Sequence, residues 1–269
     1  MSQFILSCFG DEISPNLAEQ VAVMKANDVH ALEFRSMDGI NILDLPPAQL
    51  NRAASILKGE GITVSAIGSP VGKIKITDPF LPHLDRFKHA LELAHFFSTP
   101  YIRMFSFFIP AGSDPANYRD EVLWRWGRFV DEARNSGVTL LHENEKDIYG
   151  DTALRCLDLL QSLNCDYVRA TFDPANFVQC GEETYPHAFT LLAPWTVYMH
   201  IKDARLSDHS VVPSGQGGGK LPEILVDLKK RGYSGYLSLE PHLNDSLPGG
   251  GPELFKVAAD ALKSILNAI

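Results

Sequence analysis

Apolar and polar positions along the chain follow two periods that take turns. Short runs rich in β-branched and aromatic residues occur at 4–9, 30–35, 62–67, 101–105, 138–143, 167–173, 196–202 and 235–240, and each reads as a strand. Between them, apolar residues recur three and four apart over 16–27, 47–59, 82–97, 118–136, 152–163, 183–192, 221–231 and 253–269, which predicts helices. Ser14-Pro15 and Asp114-Pro115 can open helices with a capping side chain and a proline in the first turn, and Asp151 can cap the next. Gly137 and Gly232 can close others in the left-handed region. Eight strand-then-helix repeats with no linker or composition break predict an α/β fold, a closed (β/α)8 barrel spanning residues 1–269 as one domain. The rival is an open doubly wound sheet, and no GxGxxG after the first strand supports it.

Composition narrows the field. At 45% apolar and 21% charged residues, the chain has an ordinary globular balance, neither disordered nor coiled-coil. Its 24 Lys and Arg against 33 Asp and Glu leave a net charge of −9, which disfavours a nucleic-acid partner. The apolar run at the start is short and lacks a basic flank, and nothing later approaches the ~20 apolar residues of a membrane span. The expectation is a cytoplasmic protein with no membrane partner. Cys8, Cys156, Cys165 and Cys180 show no CxxC spacing and read as free thiols.

In a barrel, chemistry sits at the carboxyl ends of the strands. The last four predicted strands end in Leu141-His142-Glu143-Asn144, Phe172-Asp173-Pro174, Met199-His200-Ile201-Lys202-Asp203 and Leu239-Glu240-Pro241-His242. Glu143, Asp173, His200 and Glu240 are spaced by 30, 27 and 40 residues, about one strand–helix unit per step, so the fold would bring them to one rim. Three carboxylates and an imidazole aimed at a common centre repel one another unless a cation lies between them. One divalent metal resolves the conflict. The carboxylate-rich set suits Mn²⁺ first, with Mg²⁺, Co²⁺ and Zn²⁺ as alternatives.

These residues also carry a resemblance. Glu-Asn, Phe-Asp-x-x-Asn, His-x-Lys-Asp and Leu-Glu-Pro-His at strand ends resemble the sugar phosphate isomerase/epimerase superfamily of xylose-isomerase-like TIM barrels, which includes ketose 3-epimerases and inosose dehydratases. The similarity covers essentially the whole chain, including Phe9-Gly10-Asp11-Glu12-Ile13-Ser14-Pro15 and Ala66-Ile67-Gly68-Ser69-Pro70. In epimerase-type members the first and fourth ligands are glutamates that also exchange protons on opposite faces of a ketose; the resemblance assigns those roles to Glu143 and Glu240. Chemistry agrees, because a carboxylate on each face can remove and return a proton through an enediolate.

Further rim residues are candidates for substrate contact: Glu33 and Arg35 after the second strand, Asn176, Lys202, Asp203 and His242. Glu33 and Arg35 could instead pair with each other. The Gly-rich segment at 213–220 is either a phosphate cradle or, preferably, a lid or plain turn, because its spacing matches no phosphate motif. Strand alternation turns His142 away from the metal. Phe105 reads as packing, while Phe107 or Phe108 could line an apolar cleft wall. The function expected is a metal-dependent isomerase or epimerase of a small sugar or sugar derivative. A lyase acting on a keto-inositol or related keto compound, and a non-catalytic sugar-binding barrel, are the alternatives. An apurinic endonuclease shares the superfamily barrel but needs further histidines that are missing here. Association of copies through exposed helices is left open.

Overall fold

A computed structural model describes residues 3–269. Its eight barrel strands are β1 (Gln3–Cys8), β2 (Ala31–Phe34), β3 (Thr63–Gly68), β4 (Tyr101–Met104), β5 (Thr139–Glu143), β6 (Val168–Phe172), β7 (Thr196–Ile201) and β8 (Ser234–Leu239). All pairings around the ring are parallel, in chain order, and β8 closes onto β1. The predicted closed barrel is therefore the observed one, and the open sheet is excluded.

The strands read as near-continuous apolar runs because helices cover the outside while side chains fill the inside. Outward residues such as Leu32, Ile102, Leu140, Phe172, Met199 and Leu237 join one core with the apolar faces of α1 (Leu17–Ala26), α2 (Pro47–Gly59), α3 (Leu81–Phe96), α4 (Arg119–Ala133) and α5 (Ala153–Leu163). After β6 come the short α6 (Pro174–Gln179), a π-type turn at Thr184–Ala188 and α7 (Phe189–Leu192); α8 (Leu221–Lys230) and α9 (Gly251–Ala268) complete the ring. No helix of the described residues is long and apolar enough to cross a membrane.

Boundary chemistry differs in detail from expectation. Asn16, not Ser14, caps α1, accepting from the Ala18 and Glu19 amides; Ser14 instead donates to Glu19. Thr152 caps α5, and Asp151 pairs with Arg155. Asp114 does cap the 3-10 turn that leads into α4. Gly137 and Gly232 take the left-handed conformation. The helix α6 was not foreseen, although Asp173-Pro174 is a cap followed by a first-turn proline. Two small hairpins, Ser36–Met37 with Ile40–Asn41 and Asp203–Ala204 with Val211–Val212, extend the loops after β2 and β7.

Inside the barrel, polar groups share the filling with a small cluster of Ala66, Leu141 and Tyr198. Ser7 and Ser65 hydrogen-bond at 2.6 Å, and Ser65 reaches the Tyr198 hydroxyl at 2.8 Å, forming a hydroxyl layer within the barrel. Tyr198 packs against Tyr101 and Tyr236. Two residues further along their strands, Arg103, His200 and Ser238 make the next layer, and Lys202 and Glu240 follow. Alternation along a strand thus turns one apolar-looking run into a stack of inward polar groups.

Candidate metal and substrate site

The carboxyl ends of β5–β8 bring Glu143, Asp173, His200 and Glu240 together, all buried, with one ligand atom of each lying within 4.8 Å of the others. His200 Nδ1 stands 3.0 Å from Glu143 Oε1, 3.5 Å from Glu240 Oε2 and 3.7 Å from Asp173 Oδ2. Its other nitrogen, Nε2, lies 3.1 Å from Glu33 Oε2. The imidazole therefore offers Nδ1 to the cluster while Glu33 holds its far side, the arrangement by which an outer carboxylate fixes a ligating histidine.

Charge is balanced from within. Burial alone would lower His200, but Glu143 and Glu33 raise its imidazole well above its ordinary value. Burial pushes Glu143 up, yet His200 and Arg103 overcome it and hold the carboxyl at about 2. Lys202 Nζ sits 2.8 Å from Asp173 Oδ2 and 2.9 Å from Glu240 Oε2. Burial opposes the Lys202 charge, but Asp173 and Glu240 raise it far above the usual lysine range. Against the same opposition, Lys202, His242 and His200 hold Glu240 well below the carboxylate range.

One oxygen is left over. Asp173 Oδ2 is buried and accepts no hydrogen bond, since Lys202 lies close without the angle one needs. Asp173 Oδ1, by contrast, caps α6 through the Asn176 amide at 2.9 Å. A buried carboxylate oxygen that accepts no hydrogen bond is costly, and a divalent cation at the cluster would take up that place. The four residues thus fit a metal by donor type, burial and this unbonded oxygen.

Glu143 and Glu240 line the floor of a cleft of about 430 Å³, and Asp173 and His200 are wholly buried beside them. Arg35, Asn176, Lys202 and His242 line it, as expected of substrate contacts. Asn176 donates to Glu143 Oε1 at 3.3 Å. Arg35 lies over the Phe9 ring and pairs with Asp11 at 2.8 Å, Glu12 at 3.2 Å and Glu240 at 3.4 Å, not with Glu33. His242 Nε2 meets Glu12 at 2.7 Å and Glu240 at 3.2 Å; burial works against its charge, but these two carboxylates raise the imidazole to about 10.

Two expected contacts lie elsewhere. Glu33 is wholly buried beneath His200, accepts from Ser238 at 2.8 Å and does not line the cleft, because Ala31-Leu32-Glu33 turns it into the barrel below the rim. Asp203 is equally buried and faces the Gly-rich loop: its carboxylate accepts the amides of Gly215, Gly217, Gly219 and its neighbour Ala204. Those amides are spent on a carboxylate of the chain itself, so the loop is a pinned turn and no phosphate cradle. Phe107 belongs to an aromatic cluster with Phe80 and Phe129, and Phe105 lines the cleft instead of Phe107 or Phe108. His142 points away from the metal cluster, meeting Ser106 at 2.9 Å and the Trp126 edge.

Arg103 was missed. It lies inside the apolar run Tyr101-Ile102-Arg103-Met104, and an inward arginine near a strand's carboxyl end was the available signal.

Residues 21–265 match the family described as xylose isomerase-like TIM barrel. Among solved structures, the IOLI protein with a bound zinc atom is similar at a TM-score of 0.80 and 17% identity, covering 100% of this chain and 99% of that one. The probable 3-DHS dehydratase AsbF of Bacillus anthracis, involved in petrobactin synthesis, is similar at 0.77 and 17% identity, covering 98% and 99%. A D-tagatose 3-epimerase-like protein is similar at 0.76 and 15% identity, covering 100% and 99%. No curated protein sequence matches this chain.

Proposed function

The chain belongs to the xylose isomerase-like TIM barrel family, and from that premise we propose that it is a divalent-metal-dependent isomerase or epimerase of a small sugar derivative, working in the cytoplasm. The observation that carries this is the buried quartet beneath the cleft, with Asp173 Oδ2 accepting no hydrogen bond. Glu143, Asp173, His200 and Glu240 would hold the metal, Mn²⁺ by preference, with Mg²⁺ next. The zinc of the similar IOLI structure supports a site open to borderline metals as well.

When bound, the metal supplies Lewis acidity toward a carbonyl and its neighbouring hydroxyl, so that the intervening C–H becomes acidic. The protein supplies the rest. Glu143 and Glu240 come from strands β5 and β8 and serve as the two bases, one taking the proton from carbon and the other returning it. Asn176 orients Glu143, while Arg35 and His242 hold Glu240. Lys202, within reach of the floor, places an ammonium beside the oxygen on which negative charge develops.

The test is exchange. Metal-loaded protein incubated in D₂O with pooled ketoses, keto sugars and sugar-derived keto acids should place deuterium on the carbon next to the carbonyl, and Glu240→Gln should slow this by roughly 10²–10⁴-fold. No exchange from any of them would sink the proposal. A lyase is the second reading, favoured by His242: it stands at the cleft beside Glu240 and could give a leaving hydroxyl its proton. The enone so formed would absorb in the ultraviolet. The similar AsbF structure, described as a probable dehydratase, supports keeping this reading.

A further inference from the structure

Arg103 is 5% exposed and lines the cleft, yet no described residue accepts a hydrogen bond from its guanidinium. Its Nε lies 3.3 Å from Glu143 Oε2 and 3.5 Å from Glu33 Oε1 without bonding to either. The Phe9 and Phe105 rings, 5.3 and 4.6 Å from the guanidinium carbon, fix its position. Phe105 also carries Lys73, 4.2 Å from its ring centre and likewise on the cleft. A guanidinium that lines the cleft, and that meets its own carboxylates through Nε without a hydrogen bond, has its planar fork available, and beside a second cation such a fork matches a carboxylate.

We propose that the substrate is an acid, a sugar-derived hydroxy or keto acid, whose carboxylate is received by the Arg103 fork while its carbonyl end lies over the quartet. This rests on the metal-dependent reading above and narrows it, since a neutral ketose offers the Arg103 fork hydroxyl acceptors but neither a charge nor a bidentate partner. Lys73 adds charge from the rim but has a partner of its own, Glu145 at 3.1 Å, so Arg103 is the specificity-determining residue.

Calorimetry with three probes of one carbon skeleton tests it: D-gluconate, sorbitol and sorbitol 6-phosphate, against Mn²⁺-loaded wild type, Arg103→Gln and Arg103→Lys, with metal content measured on each sample. Gluconate should bind wild type at least about tenfold more tightly than sorbitol. In Arg103→Gln that ratio should fall to about one, and in Arg103→Lys, which keeps the charge but not the fork, to an intermediate value. Equal binding of gluconate and sorbitol would overturn the proposal. So would a gluconate preference that survives in both variants, which would place the carboxylate on the metal, or a preference shown by sorbitol 6-phosphate alone, which would make the anion a phosphate. Should Arg103→Gln fail to fold, Arg103→Lys decides. Absence of metal in the wild type would count against the enzyme reading separately, because Arg103 is outside the ligand set and the gluconate-to-sorbitol ratio can still be read on metal-free protein.

Discussion

Two aspartates one strand apart at the barrel rim, Asp173 and Asp203, are both wholly buried, and they could hardly be treated more differently. Asp203 receives four backbone amides, two on each carboxylate oxygen, at 2.8–3.0 Å. Asp173 receives one amide on Oδ1, and its Oδ2 receives no hydrogen bond. Its nearest charged neighbour is the Lys202 ammonium at 2.8 Å. The contrast separates a carboxylate whose oxygens the backbone saturates from one with coordination left for the cation proposed above.

The sharpest way to break the comparison is to neutralise each aspartate in turn. Asp173→Asn should weaken metal binding by ~100-fold or more, read by elemental analysis after Mn²⁺ reconstitution and dialysis. Asparagine caps α6 about as well, but buried Lys202 loses one of its two carboxylates, so the metal-free protein should lose stability too. Asp203→Asn should leave the metal alone: metal content is retained, and stability falls by about 2–4 kcal/mol as an amide NH₂ is forced against backbone donors. Equal effects of the two changes on metal content would erase the distinction. Somewhat smaller is the effect of Gly219→Ala, whose new Cβ would sit 2.7 Å from Asp203 Oδ1 and 3.0 Å from Pro174 Cβ. A loss of ~1–3 kcal/mol in denaturant unfolding is expected, with metal affinity unchanged.

The smallest effect extends the comparison to a neutral group. His83 Nε2 accepts the Gly72 amide at 2.7 Å, and burial, with Arg86 and Arg125 nearby, lowers its imidazole from 6.5 to about 4. Below pH 6.5 the unfolded chain takes up a proton that the folded one refuses, so this share of stability is intact above pH 6.5 and is lost as the pH falls toward 4. His83→Gln keeps an acceptor for Gly72 and should flatten that part of the melting-temperature profile. An unchanged slope would remove His83 from the account.

These contrasts also mark where sequence runs out. The quartet was legible because each member ends an apolar strand and the spacing steps once around the ring, so periodicity alone gathers them. Glu33 and Arg35 were equally visible as polar residues ending β2. Whether each faces the interior, the cleft or a neighbour depends on depth, and β2 shifts register against β3 at Leu32/Glu33. Asp203 was misjudged for another reason: its partners lie 12–16 residues downstream, in a loop whose glycines suggest a foreign anion as readily as a resident one. Arg103 was hidden inside a strand that reads as apolar. Tertiary pairing, which no local pattern encodes, decides all three.

The barrel's construction divides labour along the chain. All four quartet residues stand at the carboxyl ends of β5–β8, while Arg35 and Arg103 belong to the first four strand–helix units, and the left-handed turn at Asn135 and Gly137 lies between the two sets. The seam there separates a half-barrel that carries the proposed metal ligands, with Asn176, Lys202 and His242 of the cleft, from a half-barrel that adds Arg35, Lys73, Arg103 and Phe105 to its wall. Recombining such halves at this turn would exchange one side of the wall while leaving the quartet intact, so new substrate ranges could be sought by grafting rather than by rebuilding the centre.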